Sequence, residues 1–194
     1  HLVLSTLHTN DAPSTVSRMV NMGIAPFLVG TAVNPIQAQR LVRRVCSKCK
    51  VDVSAEVPAK TLIDIGIKPE EIDTFKVMKG KGCATCNGTG YKGRVGLYEV
   101  MEITEGIRDL IMVGATAVEI KRKALEEGML TLRQSGLEKI KNGVTTVEEV
   151  LREEVHPVLD AAAARARARH PTLTIAVSAP LDTAAGALVR LSDG

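Results

Sequence analysis

The chain has 194 residues and a mass of 20.7 kDa, with 25 Lys and Arg against 22 Asp and Glu, 45% apolar and 24% charged residues; that balance excludes a disordered polyelectrolyte or a collagen-like fibre and leaves enough aliphatic material for a core. Trp is absent and the aromatics are Phe27, Phe75, Tyr91 and Tyr98, so stacking platforms for single-stranded nucleic acid are missing, and a net charge of +3 is too mild to argue for a nucleic-acid partner. No apolar run of about 20 residues is present to span a membrane and no basic-then-apolar signal segment opens the sequence, which makes the cytoplasm the expected compartment.

Leu2 to Leu7 is a nearly continuous apolar run, the pattern of a central strand covered on both faces, and it ends at the polar His8-Thr9-Asn10-Asp11. Asn10 or Asp11 caps a following helix with Pro13 in its first turn, Val16, Met19 and Val20 on one side and Gly23 at its close. A polar loop at the C-terminal end of a buried strand is where open α/β sheets place ligands. From Pro26 a second helix is expected through Gln37, Arg40 and Leu41 toward Arg44, kinked or interrupted at Pro35.

Between Cys46 and Met101 the sequence breaks into short segments punctuated by Gly80, Gly82, Gly88, Gly90, Gly93 and Gly96. A small helix is expected around Ala59 to Ile65, an acidic turn at Pro69-Glu70-Glu71, and strands near Phe75 to Lys79 and Arg94 to Met101. This stretch reads as an insertion held by something other than its own core. Residues 104–154 read as three or four short helices, with capping-box spacing at Thr116/Glu119 and Thr146/Glu149 and helix ends at Gly114, Gly128 and Gly143. After Val155 the residue usage changes. All 12 lysines lie between Lys48 and Lys141, whereas residues 156–194 hold 11 Ala, four Arg and no Lys, so this tail reads as foreign to the domain before it.

The strongest chemical signal is Cys46-x-x-Cys49 with Cys83-x-x-Cys86, two pairs separated by 33 residues that use every cysteine of the chain. Each pair can present two thiolates to one tetrahedral ion, and the closed four-sulfur set suits structural Zn2+ and leaves no open position for catalysis. Arg44, Lys48, Lys50 and Lys81 favour the thiolate form. Two disulfides or four unrelated thiols are the alternatives, and both sit poorly with a chain that lacks an export signal. Cys83-x-x-Cys86-x-Gly88-x-Gly90 also matches one repeat of the DnaJ-type chaperone zinc domain, which uses four. The second signal is His1-Leu-Val-Leu-Ser-Thr-Leu-His8-Thr9-Asn10-Asp11-Ala12: either a helix cap beside a satisfied imidazole, or a set of groups placed to sense a γ-phosphate.

His1 to Ala12 resembles the His-box of the secretion-superfamily ATPases that drive type IV pilus assembly and type II secretion. Gln39 to Cys46, Gly93 to Glu102, Glu127-Gly128-Met129-x-Thr131-Leu132 and the block from Gly143 to Leu151 follow in that family's order, so the resemblance covers residues 1 to about 154. It implies an α/β fold: the C-terminal portion of a RecA-like ATPase domain (1–45), an inserted tetracysteine zinc subdomain with flanking strands (46–101), a C-terminal helical bundle (102–155), and an Ala/Arg-rich tail of unknown origin (156–194). It also implies a homohexameric cytoplasmic motor that uses ATP and Mg2+, works at the inner membrane through a platform protein, and adds pilins to a fibre. Type II secretion is the alternative, and retraction motors are disfavoured because they lack the four cysteines. His8 would be the catalytic residue of the nucleotide-facing His-box, with His1 and Thr9 beside it; Cys46, Cys49, Cys83 and Cys86 would hold zinc. Arg40 and Arg43, on the helix expected to lead to the cysteines, would meet a neighbouring subunit or form a solvated basic face.

The sequence contains no G-x-x-x-x-G-K-[ST] and no acidic Walker-B-type strand. The family places both before the His-box. With His1 in place of an initiating Met, the chain is expected to begin inside a larger protein and to lack ATP turnover alone. A zinc-stabilised interaction module acting without nucleotide, or a chaperone-like zinc protein, are the remaining readings.

Overall fold

A computed structural model describes residues 3–152; His1, Leu2 and the tail expected over 156–194 lie outside the described residues. The elements run α1 (Ala12–Asn21), α2 (Pro26–Ala32), β1 (Pro35–Val45), β2 (Lys50–Asp52), α3 (Ala59–Asp64), β3 (Met78–Gly80), β4 (Tyr91–Glu102), α4 (Glu105–Met112), α5 (Ala117–Glu126) and α6 (Leu132–Lys141), with residues 147–152 also helical. Mixed α/β character is therefore present. No helix among the described residues is long and apolar enough to cross a membrane.

The first helix follows its sequence signals. Asp11 is the N-cap and accepts from the Ser14 amide at 2.9 Å, Pro13 lies in the first turn, and Gly23 closes it at φ +91°, a conformation that favours glycine. The expected strand over 2–7 is not found among the described residues. Residues 3–9 are irregular, and Val3 and Leu4 are 78% and 89% exposed. A central strand exists only where neighbours satisfy both of its edges, and no described strand pairs with this run.

The expected second helix is also corrected. Only α2 is helical, and from Pro35 the chain is the strand β1. Proline, with no N–H, is tolerated at the first residue of a strand, and from Ile36 the side chains alternate between inside and outside. Arg40 and Arg43 therefore sit on a strand. β1 pairs antiparallel with β4 over a long register: Ile36 opposite Met101, Ala38 opposite Glu99, Arg40 opposite Leu97 and Val42 opposite Val95, with a break after Arg43 that brings Val45 opposite Tyr91. β2 pairs with β3 as a second, shorter ribbon, Lys50 opposite Gly80. The strand expected at Phe75–Lys79 is displaced to Met78–Gly80 and preceded by a 3-10 turn over Pro69–Thr74.

Two apolar clusters cover the ribbons. Ala12 and Val16 of α1, Val29 of α2, Ile36 of β1 and Met101 of β4 pack with Ile107 of α4 and Ile120 of α5. Val53, Leu62, Ile65, Ile67 and Val77 pack instead with Leu137 and Ile140 of α6 and with Val147 and Val150. The cysteine-bearing segment thus buries its apolar residues against the later helices, which is why it reads in sequence as lacking a core of its own.

Beside the first cluster lies Glu99, 1% exposed. One carboxylate oxygen accepts from the Ala12 amide at 2.8 Å and the other from the Leu132 amide at 3.4 Å. Those residues open α1 and α6, where helical N–H groups have no intrahelical partner and the dipole is positive. Ala38 across the ribbon leaves room for the longer side chain. Removing the acceptor from two buried amides costs on the order of 1–3 kcal/mol each. Glu99→Ala is therefore expected to lower the unfolding free energy by about 2–4 kcal/mol in urea titration, with Glu99→Gln losing less because its amide oxygen still accepts.

Candidate metal centre and its surroundings

Cys46 directly follows β1, and Cys83 opens a 3-10 turn over Ala84–Cys86 that ends on Asn87 at φ 50°. Each pair closes a small hook, the Cys49 amide donating to the Cys46 carbonyl and the Cys86 amide to that of Cys83. The hooks are joined by backbone: the Cys46 amide donates to the Gly90 carbonyl at 2.9 Å and the Lys81 amide to the Cys49 carbonyl at 3.0 Å. This close approach needs glycine. A Cβ on Gly90, itself at φ +77°, would lie 2.5 Å from the Gly80 carbonyl oxygen.

All four sulfurs lie within 4.8 Å of one another. Cys46–Cys83 is 3.9 Å, Cys49–Cys86 3.8 Å and Cys83–Cys86 3.7 Å. A tetrahedral ion with metal–sulfur bonds of about 2.3 Å sets its ligands about 3.8 Å apart, so the spacing fits such an ion. A disulfide requires about 2.05 Å, and all four cysteines are free.

The thiols differ in their readiness to ionise. Burial opposes ionisation of Cys86, but amides of Cys83 and Gly90 donate to its sulfur at 3.2 and 3.3 Å and bring it down to about 6. Backbone donation in the Cys83–Cys86 hook, outweighing burial, also lowers Cys83. Cys49 is pushed up to about 12, by burial first and then by the neighbouring sulfurs. A cation held between them would replace the remaining thiol protons, as metal–thiolate bonding requires.

The residues expected to form a His-box stand outside the cysteine cluster. His8 is exposed. Thr9 is half-buried, its hydroxyl 2.7 Å from that of Thr15. Thr15 donates its one hydroxyl proton to the Asp11 carbonyl, so Thr9 is the donor to Thr15 and ties this loop to α1. Nearby, a cleft of about 320 Å3 is lined by Asn10, Asp11, Arg40, Glu99 and Lys121 among others.

Sequence reasoning missed how the metal turn is backed. Thr146 does accept from the Glu149 amide at 3.4 Å, but Glu149 does not return the expected capping bond. Its carboxylate, 2% exposed, accepts from Arg43 Nε at 3.0 Å, Nη2 at 2.6 Å and the Arg43 amide at 2.9 Å. The Arg43 guanidinium lies 4.3 Å above the Tyr91 ring, and the Tyr91 hydroxyl is 3.0 Å from that of Thr146. The Val45 amide and the Arg43 carbonyl bond to Val144 and Thr145. Residues 144–149 thereby fasten the end of β1, from which Cys46 projects.

Residues 1–152 match the family model described as type II/IV secretion system protein, and the chain belongs to that family. It is 53% identical over 151 residues to the type IV pilus assembly ATPase PilB of Myxococcus xanthus, covering 78% of this chain and 26% of that protein. It is 46% identical over 151 residues to PilB of Thermus thermophilus, covering 78% and 17%. Type II secretion system protein E of Pseudomonas aeruginosa is 41% identical over 152 residues, covering 78% and 29%. The match thus spans between 17% and 29% of the length of these relatives.

Burial opposes ionisation of Glu149, yet the Arg43 bonds and the nearby Arg152 charge hold its carboxyl below the ordinary 4.5. A carboxylate lowered in the folded state contributes stability that is fully present above its unfolded value and is lost as pH falls through its folded one. Stability is therefore expected to be level in this contribution above pH 4.5 and to decline below it, with Glu149→Gln flattening that acid limb. Arg43→Ala is expected to cost about 1.5–3 kcal/mol at neutral pH, as loss of hydrogen bonds to a charged group; denaturant titration across pH checks both.

Proposed function

We propose that the chain is the C-terminal part of a hexameric motor ATPase that powers type IV pilus assembly. The observation that carries this reading is the 53% identity to a pilus assembly ATPase over 151 residues, beside 41% to a type II secretion protein E. A type II secretion motor is the second reading, supported by that latter relative. In the first, residues 1–45 belong to a RecA-like core, 46–101 to the zinc subdomain, 102–155 to the helical C-terminal part and 156–194 to an added tail. The complete protein would bind ATP and Mg2+, act on the cytoplasmic side of the inner membrane and work on a platform protein.

His8, exposed at the end of its loop, is the nucleotide-facing group, joined by His1. Thr9 holds the loop against α1 through Thr15. With no phosphate-binding glycine loop in its sequence, the chain alone is expected to lack ATP turnover. In the complete motor, His8→Ala is expected to reduce ATP hydrolysis at least tenfold, the low end of acid–base contributions of about 10²–10⁴, with the hexamer retained on gel filtration. Unchanged turnover would assign His8 to the loop's structure. Restoration of surface pili, as against exoprotein secretion, in strains lacking one or the other motor separates the two readings.

Cys46, Cys49, Cys83 and Cys86 hold structural Zn2+, supported by sulfur spacings of 3.7–3.9 Å. Metal analysis is expected to find about one Zn2+ per chain, the occupancy of a single four-thiolate site. Cys46→Ser with Cys83→Ser is expected to empty the site and lower the melting temperature. Full stability without metal would overturn the assignment.

A further inference from the structure

One guanidinium touches the groups that feed both halves of the cysteine cluster. Arg43 lies on β1 just before Cys46. Tyr91 directly follows Gly90, whose carbonyl accepts from the Cys46 amide at 2.9 Å and whose amide donates to Cys86 Sγ at 3.3 Å. The Arg43 guanidinium stands 4.3 Å above the Tyr91 ring and gives both Nε and Nη2 to one oxygen of Glu149. The other oxygen accepts from the Arg43 amide at 2.9 Å and from Arg152 at 3.3 Å. At its far end Tyr91 is held by its hydroxyl, 3.0 Å from that of Thr146. The pairing of β1 with β4 breaks between Arg43 and Val45, so the strand ladder does not by itself carry the two chain ends into the hooks. Arg43, Glu149, Tyr91 and Thr146 span that break.

A buried carboxylate paired with arginine gains little stability over apolar side chains of similar volume, and the Glu149 side chain is 2% exposed. What such a pair supplies is direction, because the fixed donors of a planar group hold a carboxylate and an aromatic ring at set places. We propose that Arg43 and Glu149 are positioning residues of the metal site, holding the end of β1 and the start of β4 where the four sulfurs meet, so that metal binding and the fastening of residues 144–149 are one linked event. This rests on reading the four cysteines as a Zn2+ site. Neither residue belongs to the four-sulfur set; both act through the backbone that carries it. A chain that already keeps its thiols near the spacing of the ion gives up less conformational freedom when the ion binds. Groups that orient metal ligands from outside the ligand set are worth about 10–100-fold in affinity. The linkage is reciprocal: whatever Arg43 and Glu149 add to metal affinity, the metal adds to their hold on the strand ends.

The test is competition for Zn2+ between the full chain and a chromophoric chelator near neutral pH, for the wild type, Arg43→Lys and Glu149→Gln, with Glu99→Ala as control. Arg43→Lys keeps the charge without the planar group, and Glu149→Gln keeps the shape without the charge. Both are expected to bind Zn2+ about 10–100-fold more weakly, with the cobalt-substituted site still absorbing as four thiolates. Glu99→Ala loses buried hydrogen bonds further along the ribbon and is expected to be less stable yet to keep the wild-type affinity, since distant sites act independently. In the reciprocal measurement, chelating the metal from the wild type is expected to speed hydrogen exchange at the Arg43 and Val45 amides, which bond to Glu149 and Val144. The Ala12 and Leu132 amides, bonded to Glu99, should exchange as before. That measurement needs no variant and decides the matter should either substitution prevent folding. Wild-type affinity in Arg43→Lys and Glu149→Gln, equal weakening in Glu99→Ala, or exchange at Arg43 and Val45 that the metal leaves untouched would overturn the proposal while the Zn2+ site stands. A wild-type chain that takes up no Zn2+ would overturn the metal reading itself.

Discussion

The antiparallel register of β1 with β4 is the constraint on which the other features depend. Because side chains alternate along a strand, one register decides which residues face inward along the whole ribbon. Here it turns Ile36, Val42 and Met101 into the core and places Glu99 between the starts of α1 and α6. The break after Arg43 shifts the pairing to Val45 with Tyr91, and the Cys46 amide then reaches Gly90. A slip of one residue would expose the core face and turn Glu99 outward.

Charge is handled differently on the buried and the exposed side of this ribbon. On the buried side, Glu99 is satisfied by two backbone amides, and Glu149, at the cysteine end, by two guanidinium N–H groups and the amide of Arg43. Both carboxylates are buried and both have full partners, as buried charges require. On the exposed side near the cysteines the charges are mostly Lys. The same short stretch therefore holds a rigid, satisfied base and a cationic tip.

The metal turn follows from that base. Two four-residue hooks cannot by themselves hold four sulfurs at the spacing of a tetrahedron. The strap of residues 144–149 fixes the end of β1, and the glycine pair Gly80 and Gly90 lets the second hook fold against the first. The sulfurs converge because backbone on both sides is already bonded, with burial and amide donation setting the unequal acidities of Cys49 and Cys86.

Much of the local structure was legible in the sequence. The Asp11 cap, the Thr116 and Glu119 box, the glycine helix ends and the pairing of CxxC motifs are short-range matters, fixed by steric preference and by the reach of one side chain. The expected strand over 2–7 and the helix across Pro35 failed because an apolar run becomes a strand only when other strands meet its edges, and because period-two burial is hard to distinguish from a helical stripe where Leu41, Val42 and Val45 serve both. The burial and the distant partners of Glu99 and Glu149 could not be read from sequence, which offered Glu149 only as a helix cap. Their partners lie 87, 33 and 106 positions away, and nothing local distinguishes them from exposed carboxylates. Sequence by itself determined the caps, the four-thiol chemistry and the family's ordered motifs. Only the tertiary structure decided which carboxylates are buried and what backs the cysteines, because each depends on side chains brought together by strand register across long separations.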